Sequence, residues 1–338
     1  MASVIALDAM GSDRAPRPEI EGAIQAARHY DVRVALVGRE EPIRAELARY
    51  PAAAGLPLEI VPATDVITME DKAVQAVRAK RDSSLRVGLR LVREGRAAGF
   101  ITAGNTGAAM IAAKMVLGAI PGVDRPALAA VFPTAVNTVA ILLDVGANVD
   151  CKPHNLEQFA VMGEIYFRSM FGTKRPRVGL LSIGEEETKG NELTREAHRL
   201  LKASSLAFIG NVEARHVYSG AADVMVCDGF TGNVALKVSE GLVDVVEGLL
   251  SEELSSTMTM RVGSLLTRRA LRRFHRRVDY SEYGGAPLLG VAGVTIVGHG
   301  RSSPRAVRNA VAMAYRFASN RFIERVEQDI AAAAVSHH

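Results

Sequence analysis

Residues 100–110 read FITAGNTGAAM. Apolar and β-branched residues run into the turn Ala-Gly-Asn-Thr-Gly, and an Ala- and Met-rich segment suited to a helix follows. A strand, a glycine turn and a helix start can hold an anion, because the first N–H groups of a helix lack intrahelical partners and point outward. The turn has neither the Gly-Lys-Ser/Thr ending of a P-loop nor the G-x-G-x-x-G spacing of a dinucleotide fold, so both nucleotide fingerprints fail. Gly104, Asn105, Thr106 and Gly107 are therefore candidates for binding a phosphate that belongs to no nucleotide. An ordinary strand-to-helix turn, with Asn105 or Thr106 capping the helix, fits the same residues.

The same grammar recurs along the chain. Short apolar runs alternate with helical patterns: VIALDA at 4–9, RVALVG at 33–38, GFITAG at 99–104 and VAILLDVG at 139–146. RVGLLSIG at 177–184, DVMVCDG at 223–229 and GVTIVGHG at 293–300 continue the series. The runs are continuously apolar rather than alternating, as strands covered on both faces are. With helices between them they predict an α/β fold with a mostly parallel sheet. Nearly every run ends in Gly, Asp or Asn. Ligands of open α/β sheets bind at the carboxyl ends of strands, so these clusters should converge on one cleft. No low-complexity linker divides the chain. It reads as a single domain over 1–335, with a long helical and basic excursion at about 241–278.

With 338 residues and 48% apolar content the chain can bury a large core. Its formal net charge is only +4, so any basic function must come from local clustering. Cys151 and Cys227 form no C-x-x-C motif, and a reducing cytosol is the expected home. The opening MASVIALDAMG reads as a first strand rather than a signal peptide. No apolar run is long enough to span a bilayer, so the expectation is a soluble protein that at most lies on a membrane surface.

Two further turns share the character of the first. CDGFTGN at 227–233 offers Asp228, Gly229, Thr231, Gly232 and Asn233, and DAMGSD at 8–13 offers Asp8 and Gly11. Lys189 and Asn191, in KGNELTREA at 189–197, lie between a strand and a helix. The lysine is either a solvated loop charge or a fixed cation that stabilises developing negative charge. Asp144, Asn148 and Asp150 carry oxygens of the kind Mg²⁺ accepts, but their spacing matches no EF-hand and such residues also populate turns for backbone reasons. Cys227 is a conceivable nucleophile, yet it ends an apolar strand with no histidine near in sequence to activate it.

The stretch MRVGSLLTRRALRRFHRRVDY, 260–280, sets Val262, Leu265 and Leu266 among seven arginines that include Arg268, Arg269 and Arg272. At helical spacing this gives an apolar side beside a cationic one, as in helices on anionic membrane surfaces. A solvated surface helix and a docking patch for an acidic protein fit as well. Nucleic acid fits less well, because Phe274 is the only aromatic among the arginines.

Several stretches together carry a family resemblance: IALDAMGSDRAP at 5–16, AVRAKRDSSL at 76–85, TAGNTGA at 102–108 and LLDVGANVDCKP at 142–153. KGNELTREA at 189–197, ADVMVCDGFTGNVALK at 222–237 and DYSEYGGAPLLGVAG at 279–293 complete the set. In this order, over essentially the whole chain, they resemble the PlsX family, the phosphate acyltransferases of bacterial phospholipid synthesis. The resemblance implies transfer of a long-chain acyl group from acyl carrier protein to inorganic phosphate, with no cofactor and no metal. A membrane-bound acyltransferase would then use the acyl phosphate to acylate glycerol 3-phosphate. It also implies a three-layer α/β/α Rossmann-like fold similar to phosphotransacetylases and isopropylmalate dehydrogenases, a homodimer, and a cytoplasmic protein peripherally bound to the membrane.

By the same resemblance Lys189 and Asn233 match catalytic positions in the K-G-N and T-G-N motifs. Ala214 and His216 stand where the family usually has Gly and Asp, and MEDKAVQAV at 69–77 lacks a proline often found there. The chemistry this predicts is direct attack of phosphate on a thioester, with both glycine turns binding phosphate and Lys189 and Asn233 positioning it or stabilising the oxyanion. A metal- and NAD-dependent decarboxylating dehydrogenase of the same fold, or a non-catalytic lipid- or carrier-binding module, are the competing functions.

Overall fold

The run SVIALD forms β1 (Ser3–Asp8), fully buried from Ile5 onward, and it sets the pattern for the sheet. A computed structural model describes residues 3–257 and 284–335, with positions 259, 263, 267 and 269 between them. The first half contains β2 (Val32–Gly38), β3 (Leu58–Pro62), β4 (Gly99–Thr102) and β5 (Ala127–Pro133). The remaining strands are β6 (Val139–Leu143), β7 (Arg177–Leu181), β8 (Ala207–Val212), β9 (Val224–Val226), β10 (Ala286–Leu289) and β11 (Thr295–Val297). All seven runs read as strands from the sequence are strands.

The described strands form one eleven-stranded sheet in the order β3-β2-β1-β4-β11-β10-β5-β6-β9-β7-β8. Seven of its ten neighbouring pairings are parallel, as the continuous apolar runs predict. The other three, β10 with β11, β10 with β5 and β5 with β6, are antiparallel and lie together at the centre. They divide the sheet into two parallel blocks of opposite direction. The strands β3, β2, β1, β4 and β11 point one way, and β6, β9, β7 and β8 point the other. Carboxyl ends therefore form two rims rather than one.

Helices cover both faces, because alternate residues of each strand point to opposite sides. One face packs against α1 (Arg17–His29), α6 (Pro153–Phe171), α7 (Glu192–Ala203), α9 (Pro304–Ser319) and α10 (Phe322–Val335), through Ile20, Phe159, Leu201, Phe317 and Phe322. The other packs against α3 (Ala73–Ala79), α4 (Ser84–Arg93) and α5 (Thr106–Val116), through Val77, Leu89 and Ala109. Within β5 the division is visible residue by residue. Ala127, Ala129 and Val131 join the first core, and Leu128, Ala130 and Phe132 join the second.

The helix α8 (Gly229–Ser255) starts at the end of β9 and has few buried residues, Gly229 and Gly232 alone being fully enclosed among those described. Val238, Leu242, Val245 and Leu249 are each more than half exposed, and they recur every three or four positions along one side. Among the described residues no helix is long and apolar enough to cross a membrane. Val262, Leu265, Leu266, Arg268 and Arg272 lie outside the described residues, and Arg269 is exposed.

Candidate active site

The first rim is built on Asp8, the last residue of β1, and Thr102, the last residue of β4. The Thr102 hydroxyl donates to Asp8 Oδ2 at 2.8 Å, and the Met10 N–H donates to Asp8 Oδ1 at 3.0 Å. Burial pushes the Asp8 carboxyl above its ordinary range, while hydrogen bonds from Ser84, Thr102 and Met10 oppose that shift. Gly11 closes against this pair so tightly that a Cβ would come within 2.8 Å of the Gly104 nitrogen and 3.0 Å of Asp8 Oδ2. Only glycine fits without a shift of the turn.

The FITAGNTG turn combines both readings of its sequence. Asn105 is the N-cap of α5: its Oδ1 accepts from the Ala108 N–H at 3.0 Å, and its Nδ2 donates to the carbonyls of Thr68, Met69 and Asp71. The Gly104 N–H is also spent, on Thr102 Oγ1 at 3.1 Å. The N–H groups of Thr106 and Gly107, the first two of α5, find no protein acceptor among the described residues. They are the donors a ligand would meet at this helix start.

The second rim joins the ends of β6, β9 and β7. Asp144 is buried and its carboxylate accepts five hydrogen bonds. They come from the N–H groups of Leu128, Gly146, Ala147 and Asn148 and from Asn148 Nδ2, at 2.7–3.2 Å. This carboxylate holds its own loop, so its oxygens are committed before any ion arrives. Burial also pushes it above the ordinary range, against those donors.

Against this loop sits the DGFTGN turn. Asp228 caps α8, its Oδ1 accepting from the Thr231 N–H at 2.9 Å and its Oδ2 from the Thr231 hydroxyl at 2.7 Å. The Gly229 N–H donates to the Asn148 carbonyl at 2.7 Å and the Gly232 N–H to the Asp228 carbonyl at 3.0 Å. A Cβ on Gly232 would stand 1.8 Å from the Asp144 carbonyl oxygen, so glycine is required there too. The backbone donors expected to cradle phosphate here are thus largely engaged within the protein. The turn instead aims Asn233, an exposed side chain beside Gly146.

Lys189 follows β7, the strand next to β9, so it rises from the same rim as Asn233. It is exposed, its stem lies near Gly184, and it makes no ion pair among the described residues. The acid next to it in sequence that would most readily neutralise it, Glu187, pairs instead with Lys202 at 2.8 Å. Asn191 is the N-cap of α7, its Oδ1 accepting from the Thr194 N–H at 2.9 Å.

Between the rims runs a groove of about 1040 Å³. Leu128, Ala130 and Phe132 of β5 line it, and Tyr218 stands over Phe132 edge to face, with centroids 5.8 Å apart. Gly104 and Gly107 of one turn and Gly146, Gly229 and Asn233 of the other turns line it too, while Leu236, Lys237 and Glu240 contribute from α8. Lys189 does not line it. Of the predicted residues, Gly104, Thr106, Gly107, Gly229 and Asn233 line this one cleft, whereas Asp8, Gly11, Lys189 and Asn191 do not.

Sequence reasoning missed the groove's apolar floor, and it considered the half-buried His299 only as a neighbour of Cys227, not as part of the groove. The floor comes from ALAAVFP, whose alanines favour a helical reading. Burial pushes the His299 imidazole below its ordinary value, and its Nδ1 accepts from the Arg301 N–H at 3.2 Å, so the neutral ring carries its proton on Nε2. The other cysteine question resolves clearly. Cys227 is 2% exposed, its thiol donates to the Asp144 carbonyl, and burial holds it far above the ordinary thiol range.

The fold is shared with solved phosphotransacetylases. The EutD phosphotransacetylase of Staphylococcus aureus superposes with a TM-score of 0.59 at 16% identity, covering 94% of each chain. A phosphotransacetylase from Streptococcus pyogenes gives 0.60 at 16% identity over 93% of each. These likenesses define the fold class. The chain belongs to the fatty acid synthesis protein family, whose model matches residues 3–325. The phosphate acyltransferase of Acidobacterium capsulatum is 61% identical over 337 residues, covering 100% of both chains. That of Koribacter versatilis is 61% identical over 346 residues, covering 100% of this chain and 96% of the relative.

Proposed function

We propose that this chain transfers a long-chain acyl group from the thioester of acyl carrier protein to inorganic phosphate, releasing acyl phosphate and free carrier protein. The observation that carries this reading is the groove itself. Its volume far exceeds what a phosphate fills, its floor is hydrocarbon, and a helix start with unspent N–H donors stands at one end.

A thioester carbonyl is electrophilic enough for a phosphate oxygen to attack it without a protein nucleophile. The Thr106 and Gly107 N–H groups hold the phosphate, and the acyl chain lies along Leu128, Ala130 and Phe132. Stabilisation of the tetrahedral oxyanion falls to the Asn233 amide, which lines the groove, and to the Lys189 ammonium, which comes from outside its lining. The C–O bond forms, the C–S bond breaks, and the carrier thiolate departs and takes a proton from solvent. The un-ionised, enclosed thiol of Cys227 supports direct attack rather than an acyl-enzyme.

The exposed apolar stripe of α8 supports a homodimer, and the arginine-rich stretch 260–280 supports peripheral binding to an anionic membrane surface from the cytoplasm. A membrane-bound glycerol 3-phosphate acyltransferase is the fitting consumer of a product that combines a labile anhydride with a long chain. The test mixes purified protein, palmitoyl carrier protein and phosphate, with and without Mg²⁺, and follows acyl phosphate by mass spectrometry. Phosphate-dependent formation without Mg²⁺ is the expected result. Its absence in both mixtures overturns the reading.

A further inference from the structure

The chain's net charge of +4 conceals a second concentration of cations besides the arginine-rich stretch. Residues 72–93 hold seven, Lys72, Arg78, Lys80, Arg81, Arg86, Arg90 and Arg93, against the single carboxylate Asp82, a local net of +6. Hydrogen bonds tie together the two helices that carry or flank them. Arg86 donates to the Val77 carbonyl at 3.0 Å and Arg90 to the Arg81 carbonyl at 3.3 Å, which ties α4 to the end of α3. Lys80 is bound to Asp71, whereas Lys72, Arg78 and Arg81 are exposed and make no ion pair among the described residues.

This surface adjoins the mouth of the groove. A Cβ on Gly107 would touch the Ala73 side chain at 3.4 Å, and Asn105 fastens the loop of Thr68, Met69 and Asp71 to the anion turn. Arg78 lies five residues beyond Ala73, about 7.5 Å along the helix. Met69 and Val74 place partly exposed apolar side chains among the cations, at 38% and 49%.

We infer that the surface of Lys72, Arg78 and Arg81 docks the acidic carrier protein and presents its thioester to the Gly104–Gly107 end of the groove. The inference rests on the proposed acyl transfer and adds the place where the carrier sits. A cationic patch with small apolar contacts fits a compact acidic protein, which electrostatic attraction steers to the groove mouth. It leaves the arginines of 260–280 free for another partner.

The test is the full-length triple variant Lys72→Glu, Arg78→Glu, Arg81→Glu, with Arg268→Glu, Arg269→Glu, Arg272→Glu as its counterpart. Titration with palmitoyl carrier protein should show about tenfold or greater weakening in the first variant and little change in the second. Under turnover the first should raise KM for the carrier with kcat and KM for phosphate within about twofold, and raising salt should weaken the wild type far more than the variant. Carrier affinity unchanged in the first variant overturns the inference, as does loss confined to the second. Single reversals at each position serve if the triple variant fails to fold. Sedimentation with anionic phosphatidylglycerol vesicles separates the rival partner: lost vesicle binding with carrier affinity intact would give the patch to lipid and overturn the inference. A wild type that binds carrier here but makes no acyl phosphate would instead refute the proposed reaction and leave the docking surface standing.

Discussion

The Thr102 hydroxyl donates to Asp8 Oδ2 at 2.8 Å, joining the ends of two adjacent strands that are 94 residues apart in sequence. Thr102 Oγ1 also accepts from the Gly104 N–H at 3.1 Å, so one side chain aligns two glycine turns. Thr102→Val keeps the shape but strands a buried carboxylate oxygen and a buried N–H, a loss of about 1–3 kcal/mol. Denaturant unfolding should show that loss, and KM for phosphate should rise more than kcat falls. Unchanged phosphate affinity would detach this pair from the site.

Neither the Lys189 nor the Asn233 side chain is buried or bonded within the described protein, so the oxyanion role proposed for them can be tested apart from the fold. Lys189→Ala and Asn233→Ala should each lower kcat by on the order of 10²- to 10³-fold with the melting temperature nearly unchanged. Near wild-type turnover by either folded variant would remove that residue from the mechanism.

The seven strands legible in the sequence are those dominated by Val, Ile, Leu, Met or Phe, even where Arg33 in β2 or Gly179 in β7 interrupts them. The four missed ones each carry an interruption: Glu59 in LEIVP, the alanines of ALAAVFP, Gly210 and Asn211 in AFIGNV, and Pro287 in APLL. The mostly parallel pairing was legible, but the reversal of direction at the centre of the sheet was not. Periodicity is the same for either direction, and the reversal depends on a hairpin between β5 and β6 whose turn residue Asn137 has a positive φ of 61°. At the site, residue type marked the turns but not their use. Asn105, Asn191 and Asp228 cap helices, and a capping oxygen and a ligand-binding oxygen require the same side chains.

Glu19 carries a pH dependence that the sequence did not suggest. It is 0% exposed in the first turn of α1, with Oε1 accepting from the Ser12 N–H at 3.2 Å and Oε2 unpartnered. Burial pushes its carboxyl from 4.5 up to about 7, with a smaller contribution from the charge of Asp8. The folded state therefore binds this proton more tightly than the unfolded chain. That stability is fully present below the ordinary glutamate value and is lost as pH rises through about 7. The loss amounts to about 3 kcal/mol. Glu19→Gln should flatten the fall in stability between pH 5 and pH 8. An equally steep fall in the variant would assign the dependence to other groups.

Direct attack by phosphate makes a definite statement about Cys227. Mass spectrometry of the protein mixed with palmitoyl carrier protein alone should show no added acyl mass. Cys227→Ser, which keeps a hydroxyl donor toward the Asp144 carbonyl, should retain most of the turnover. An acylated Cys227, or a folded serine variant with no activity, would establish a covalent route instead.

The groove floor should set which chains fit. Phe132 is buried at 4% exposure and held edge to face against Tyr218 at an interplanar angle of 81°. Its ring takes up space beside Ala130 that an acyl chain would otherwise fill. Phe132→Ala opens that space at a cost in stability of about 3–5 kcal/mol, so Phe132→Leu is the milder companion. Both should shift the ratio of kcat/KM toward longer acyl carriers, the alanine variant further, while KM for phosphate stays constant because the anion turn belongs to α5 and not to β5. If a folded Phe132→Leu protein kept the wild-type profile across carriers of increasing chain length, the acyl group would have to lie elsewhere than along β5.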